Sequence, residues 1–262
     1  MKRWLARVVS MSCAMGMLAS FPAMAADGPT ADEIVEQMIA QDSFGFESGE
    51  VTLSLEIRSR RGDVRVRTLR ARGDRKGDLR RSRVDIVDPP DVRGTAILLL
   101  EQPGERDDLQ YIYLPEYKKA KRITGSQKNG SFLGSDLTYA DLESRDTKDG
   151  KKTRLADGEV AGQAVYHVRI EIDDAESDYG HLDLYIHQKY HLPLKMEFFD
   201  RSKELNKTLF AKKIQKKGGK IVVSRMLLKN HKRGTQTVLQ IDSLDPKAIF
   251  TDAIFEKDAL GR

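Results

Sequence analysis

Glu50-Val51-Thr52-Leu53-Ser54-Leu55-Glu56-Ile57-Arg58 is the stretch that decides the fold. Val51, Leu53, Leu55 and Ile57 take every second position, with polar or charged residues between them. Side chains alternate across a strand, so this run is a strand with one dry face and one wet face. Arg61-Gly62-Asp63 turns the chain, and Val64 and Val66 begin a second alternating run. Further runs follow at Val84–Val87, Thr95–Leu100, Gln110–Leu114, Val160–Ile172, His181–His187, Leu192–Phe199, Leu205–Ile214, Lys220–Leu228 and Gln236–Leu244. Such strands with short connections predict a mainly β chain, a meandering antiparallel sheet rather than a βαβ fold. A long sheet that is apolar on one face must curl round that face or cover it.

Upstream, one helix is readable over residues 30–42. Thr30 caps it, Glu33 completes a capping box, and Ile34, Val35, Met38 and Ile39 form an apolar stripe. Earlier still, Lys2, Arg3 and Arg7 precede an apolar run from Val8 to Phe21 and a small-x-small site, Ala23-Met24-Ala25. This predicts a signal peptide over residues 1–25, cut after Ala25, and export to the periplasm. Residues 26–262 then form a single domain. Cys13 sits inside the signal, so the exported chain has no disulfide and depends on its own core. No later stretch is long and apolar enough to span a bilayer, which predicts a soluble product. The formal charge of +5 falls to +2 without the three signal cations, and nothing in it calls for a nucleic-acid partner.

The familiar chemical motifs fail one by one. Gly125 and Gly130 have P-loop spacing, but Ser131-Phe132 stands where Lys-Ser/Thr is needed. No G-x-S-x-G, H-E-x-x-H or C-x-x-C occurs. Asp174, Glu176 and Asp178 start like a calcium loop, but Tyr179 and Tyr185 occupy the positions that need Gly and Glu. His181 and His187 share a strand face but lie about 20 Å apart, too far for one metal. The expectation is no enzyme, no metal and no cofactor. The Arg-rich stretch from Arg58 to Arg83 reads first as a soluble sheet face, and secondarily as a site for transient contact with a membrane surface or an acidic partner. Residues 125–143, rich in Gly and Ser but carrying Phe132, Leu133, Leu137, Tyr139 and Leu142, read as a mobile lid with short helical turns.

Three blocks resemble the outer-membrane lipoprotein-sorting (LolA-like) family. They are Asp88-Pro89-Pro90-Asp91-Val92-Arg93-Gly94-Thr95, then Tyr111-Ile112-Tyr113-Leu114-Pro115 with Lys121-Arg122-Ile123, then Gly130-Ser131-Phe132-Leu133-Gly134-Ser135-Asp136-Leu137 followed by Tyr139-Ala140-Asp141-Leu142. The resemblance implies a strongly curved, half-open β-barrel with helices in its mouth, enclosing an apolar cavity for acyl chains. It implies a carrier that takes a lipoprotein or lipid toward the outer membrane, with an inner-membrane transporter and an outer-membrane acceptor as partners. The alternative is an accessory or sensor protein of an envelope lipid transporter of the resistance-nodulation-division type, acting by protein–protein contact. The residues expected to line the cavity are Leu53, Leu55, Ile57, Leu98, Leu100, Ile170, Ile172, Leu184, Met196 and Phe198, with Phe132, Leu133 and Tyr139 on the lid.

Overall fold

The computed structural model describes residues 28–41, 48–77, 79–104, 106–143 and 150–262. The expected signal segment and its cleavage point lie outside them. Helix α1 (Ala31–Gln41) is followed by β1 (Gly49–Arg58), β2 (Val64–Lys76), β3 (Leu79–Asp88), β4 (Ala96–Leu100), β5 (Leu109–Leu114) and β6 (Lys119–Ile123). Three short 3-10 turns come next, at Gly125–Asn129, Phe132–Gly134 and Ala140–Leu142. Then follow β7 (Lys151–Arg154), β8 (Gly158–Val160), β9 (Gln163–Glu171), β10 (Tyr179–His187), β11 (Pro193–Asp200), β12 (Leu205–Lys217), β13 (Lys220–Asn230) and β14 (Thr235–Asp245).

The start of α1 follows from its sequence. The Thr30 amide donates to Glu33 Oε2 at 2.7 Å, and the Glu33 amide donates to Thr30 Oγ1 at 3.2 Å, a reciprocal capping box. The apolar stripe buries Ile34 and Val35 completely against Val168, Ile170, Leu184 and Ile186. Burial of this kind stabilises by about 1.5–3 kcal/mol per side chain.

All fourteen strands form one curved antiparallel sheet, in the order β6-β5-β4-β3-β2-β1-β14-β13-β12-β11-β10-β9-β7, with β8 paired to β9. Strands β1 and β14 join the two halves of the meander at its centre. The outermost strands, β6 and β7, do not pair with each other, so the sheet curves without closing. Two local differences from the sequence reading have physical causes. The run expected from Val160 to Ile172 breaks at Ala161 and Gly162, whose φ values of 52° and 75° turn β8 back on β9. Both edge strands, rich in Lys and Arg, lacked the alternation that marks the others.

The two faces of the sheet are covered differently. On the inner face, α1 packs on β9, β10 and β11, while the 125–143 segment packs on β1–β4. Leu137 touches both clusters and joins them. On the outer face, the C-terminal tail lays Phe255 and Leu260 over Ala96 and Leu98, with Leu100, Tyr111 and Tyr113 alongside. Leu98 and Leu100 therefore point away from the inner face, contrary to expectation. The inner-face residues of β4 are Ile97 and Leu99, one position off in a period of two.

Candidate functional site

The 125–143 segment crosses the inner face and is fastened to it by buried polar groups. Asp136 is only 1% exposed. Its carboxylate accepts from Thr237 Oγ1 at 2.8 Å, from Arg233 Nη2 at 2.7 Å and from the Thr235 hydroxyl, and its amide donates to Thr237 Oγ1 at 2.9 Å. Five residues on, Asp141 accepts from Lys207 Nζ and from the Tyr179 hydroxyl, each at 2.9 Å. The side chains of Lys207 and Asp141 are both 4% exposed. Burial, reinforced by the Asp141 charge, pushes the Tyr179 phenol well above its ordinary range. Tyr179 therefore stays protonated as the donor to Asp141 while accepting from Lys207 at 2.5 Å.

Two main-chain carbonyls complete the fastening. Arg67 Nε donates to Leu133 O at 3.1 Å, and Gln110 Nε2 donates to Tyr139 O at 2.9 Å. Leu133 itself has φ 55°, a left-handed conformation that costs a branched residue on the order of 1 kcal/mol or more. The serines satisfy the segment's own backbone: the Ser131 hydroxyl donates to Ser135 O and the Ser135 hydroxyl to Phe132 O. Phe132 and Tyr139 meet edge to face with ring centres 6.0 Å apart. A Gly/Ser-rich composition thus builds a compact turn here.

Beyond Leu142, toward the start of β1, the wall recedes into a pocket of about 290 Å³. The strand register explains the space. Val51 faces Ala71, Gly49 faces Gly73, and Gly73 in turn faces Ser82. Small side chains therefore lie side by side where the neighbouring rows carry Leu53, Leu69 and Ile86. Val51, Leu99, Leu142 and Leu244 supply the apolar lining, and Arg75, Arg80, Glu101, Asp108 and Glu143 the charged rim. Arg80 Nη2 also donates to Ile39 O at 2.9 Å, tying the rim to α1. A larger depression of about 740 Å³ lies by Arg169, Glu171, Asp173, Asp174 and Arg201.

The structure brings most of the expected lining residues to the inner face. Leu55, Ile57 and Phe132 are buried in one cluster, with Leu53, Leu133 and Tyr139 packed against it; Ile170, Leu184 and Phe198 are buried in the other, with Ile172 and Met196 packed against it. These side chains touch one another rather than open space. Of the expected residues, Leu100 alone borders the pocket. The sequence reading missed Ala71, Gly73 and Ser82; the available signal was a row of small residues within otherwise bulky strands. The His181 and His187 imidazoles are depressed chiefly by burial, and His181 stacks on Phe199 at 4.3 Å. The Arg169 fork grips Asp183 at 2.7 Å through both oxygens, and no metal-ligating cluster of three occurs among the described residues.

A family model described as an uncharacterized protein matches residues 78–262. A domain described as an outer membrane lipoprotein-sorting protein, from Vibrio parahaemolyticus, is 28% identical; the match covers 88% of this chain and 98% of that one, with a TM-score of 0.81. The chain belongs to the family of that model, and its fold is LolA-like. Two other solved structures show the same fold. A DUF1329 family protein from Desulfovibrio piger is 24% identical over 89% of this chain and 100% of its own, with a TM-score of 0.81. A LolA superfamily protein from Nitrosomonas europaea is 21% identical over 89% and 100%, with a TM-score of 0.72. No curated protein matches.

Proposed function

We propose that this chain is an exported, non-catalytic periplasmic carrier that takes an acyl chain of a lipoprotein or lipid into its inner-face pocket for delivery toward the outer membrane. The observation that carries this reading is the pocket of about 290 Å³ between β1–β4 and Leu142, with Val51, Leu99, Leu142 and Leu244 in its wall beneath a charged rim. Its volume is near the lower end of ligand sites, enough for part of one chain. Each methylene moved out of water contributes about 0.8 kcal/mol, so a long chain is held without any energy source in the protein. Deeper insertion requires the 125–143 lid to free its Asp136 from Arg233 and Thr237 and its Asp141 from Lys207 and Tyr179, which would spread apart the inner-face leucines around it. An inner-membrane transporter and an outer-membrane acceptor would supply and remove the cargo.

Mass spectrometry of the organic extract of protein purified gently from its native host should find acyl-chain material. Extracts without lipid across several preparations would overturn the carrier reading. The packed inner face and the fastened lid favour a second reading, in which the chain is an accessory or sensor of an envelope lipid transporter and works by protein contact. Co-purification with a transporter, together with lipid-free extracts, would select that reading.

A further inference from the structure

Residues 211–225 read Ala-Lys-Lys-Ile-Gln-Lys-Lys-Gly-Gly-Lys-Ile-Val-Val-Ser-Arg, with six basic side chains and no acidic one. They form the turn end of the β12–β13 hairpin. The β11 ladder leaves β12 at Phe210, and the β14 ladder leaves β13 at Arg225. From there outward the two strands pair only with each other, as a two-stranded finger. Register shifts between Ala211 and Ile214 add local twist. Lys212, Lys213 and Lys216 are exposed, and Ile214 beside them is 37% exposed.

Among the described residues, the exposed Lys212, Lys213 and Lys216 form no ion pair, so their charge is not cancelled locally. Lys217 Nζ donates to the main-chain carbonyls of Ile241 and Asp242, at 3.0 and 3.4 Å. Lys212 lies 5.3 Å from the Phe210 ring centre, and Arg225 donates to Gln240 Oε1 at 2.9 Å. Elsewhere the basic residues are commonly neutralised: Arg81 by Asp74, Arg83 by Asp85, Lys232 by Asp200. The finger also stands at the pocket end of the sheet. Lys217 reaches β14 at Ile241 and Asp242, and Leu244, two residues further on, lines the pocket.

We infer that the β12–β13 finger docks the chain on a bilayer surface bearing anionic lipid headgroups, with the pocket mouth turned toward that surface. Clustered cations next to an exposed aliphatic residue are complementary to such an interface, and their attraction adds up residue by residue. Lysines also protect strands from stray pairing, but six cations without one acid exceed that need. The inference goes beyond the carrier reading and requires no cargo.

The test is sedimentation of the exported chain with vesicles of phosphatidylcholine alone and of phosphatidylcholine mixed with phosphatidylglycerol, at low and high salt. Partition onto the anionic vesicles alone, released by salt, is expected. Lys212→Glu, Lys213→Glu and Lys216→Glu together should weaken it at least about tenfold. Arg58→Glu, Arg60→Glu and Arg61→Glu, in the hairpin at the other end of the sheet, should leave it within about twofold. Unchanged thermal unfolding shows that both variants fold. No binding to anionic vesicles overturns the inference, as does binding that survives the finger reversal or falls equally in both variants. If vesicles are ignored while the finger reversal breaks a complex with an acidic protein, the finger belongs to that protein and the inference fails. Acyl content of the same preparations is read separately, so either proposal can fail while the other stands.

Discussion

Lys207 is a cation on the inner face, enclosed with Asp141 and Tyr179. Removing one member of such a pair leaves the other charged and buried, whereas together they are satisfied. Lys207→Met and Asp141→Asn should each lower unfolding stability by about 3 kcal/mol in urea titrations. The double variant should lose clearly less than the sum of the two. Additive losses would mean that the pair does not hold the lid. His181 and Asp183 act in different pH windows. Burial chiefly depresses the His181 imidazole, so the unfolded chain binds that proton more tightly, and stability falls as pH drops below the ordinary value of 6.5. His181→Phe should flatten the decline in urea midpoint between about pH 7 and about pH 5. Burial alone would raise the Asp183 carboxyl, but the Arg169 fork overrides it and holds it low. Its contribution is full above the ordinary value of 3.8 and is lost as pH falls through the depressed one. None of these partnerships was legible in the sequence, because Lys207 and Asp141 are 66 residues apart and meet only when the lid lies on the sheet.

At the scale of elements, the alternation from Val51 to Ile57 and the Thr30–Glu33 cap were readable because each is fixed by local spacing. The edge strands were not. Lys119–Ile123 and Lys151–Arg154 are charged because an unpaired strand must repel other chains, and the charge that guards an edge also makes it look like loop. The misplacement on β4 has another cause: Ala96–Leu100 is apolar on both faces, inward beneath the lid and outward beneath the C-terminal tail, so alternation could not say which leucine faces in. Two substitutions separate the faces. Leu98→Ala should cost about 3 kcal/mol in unfolding stability, yet leave acyl content unchanged by mass spectrometry. Ala71→Phe, which projects into the pocket, should instead weaken binding of a fluorescent fatty acid at least about tenfold with a smaller effect on stability. Equal effects of the two on binding would refute the assignment of faces.

At the scale of the molecule, fold class was legible because many short alternating runs allow few arrangements other than a meander. The pocket was not, because it arises from three neighbouring strands each placing a small residue in the same row, a coincidence of register that no single stretch reveals. Between β6 and β7 the sheet has a seam. In a closed barrel, strand number and shear fix the bore, and any change of diameter must break hydrogen bonds all the way round. A sheet whose two margins are unjoined can coil tighter or looser as a spring does, keeping every rung of its ladder. Guests of unequal girth then become a matter of bending rather than of unzipping.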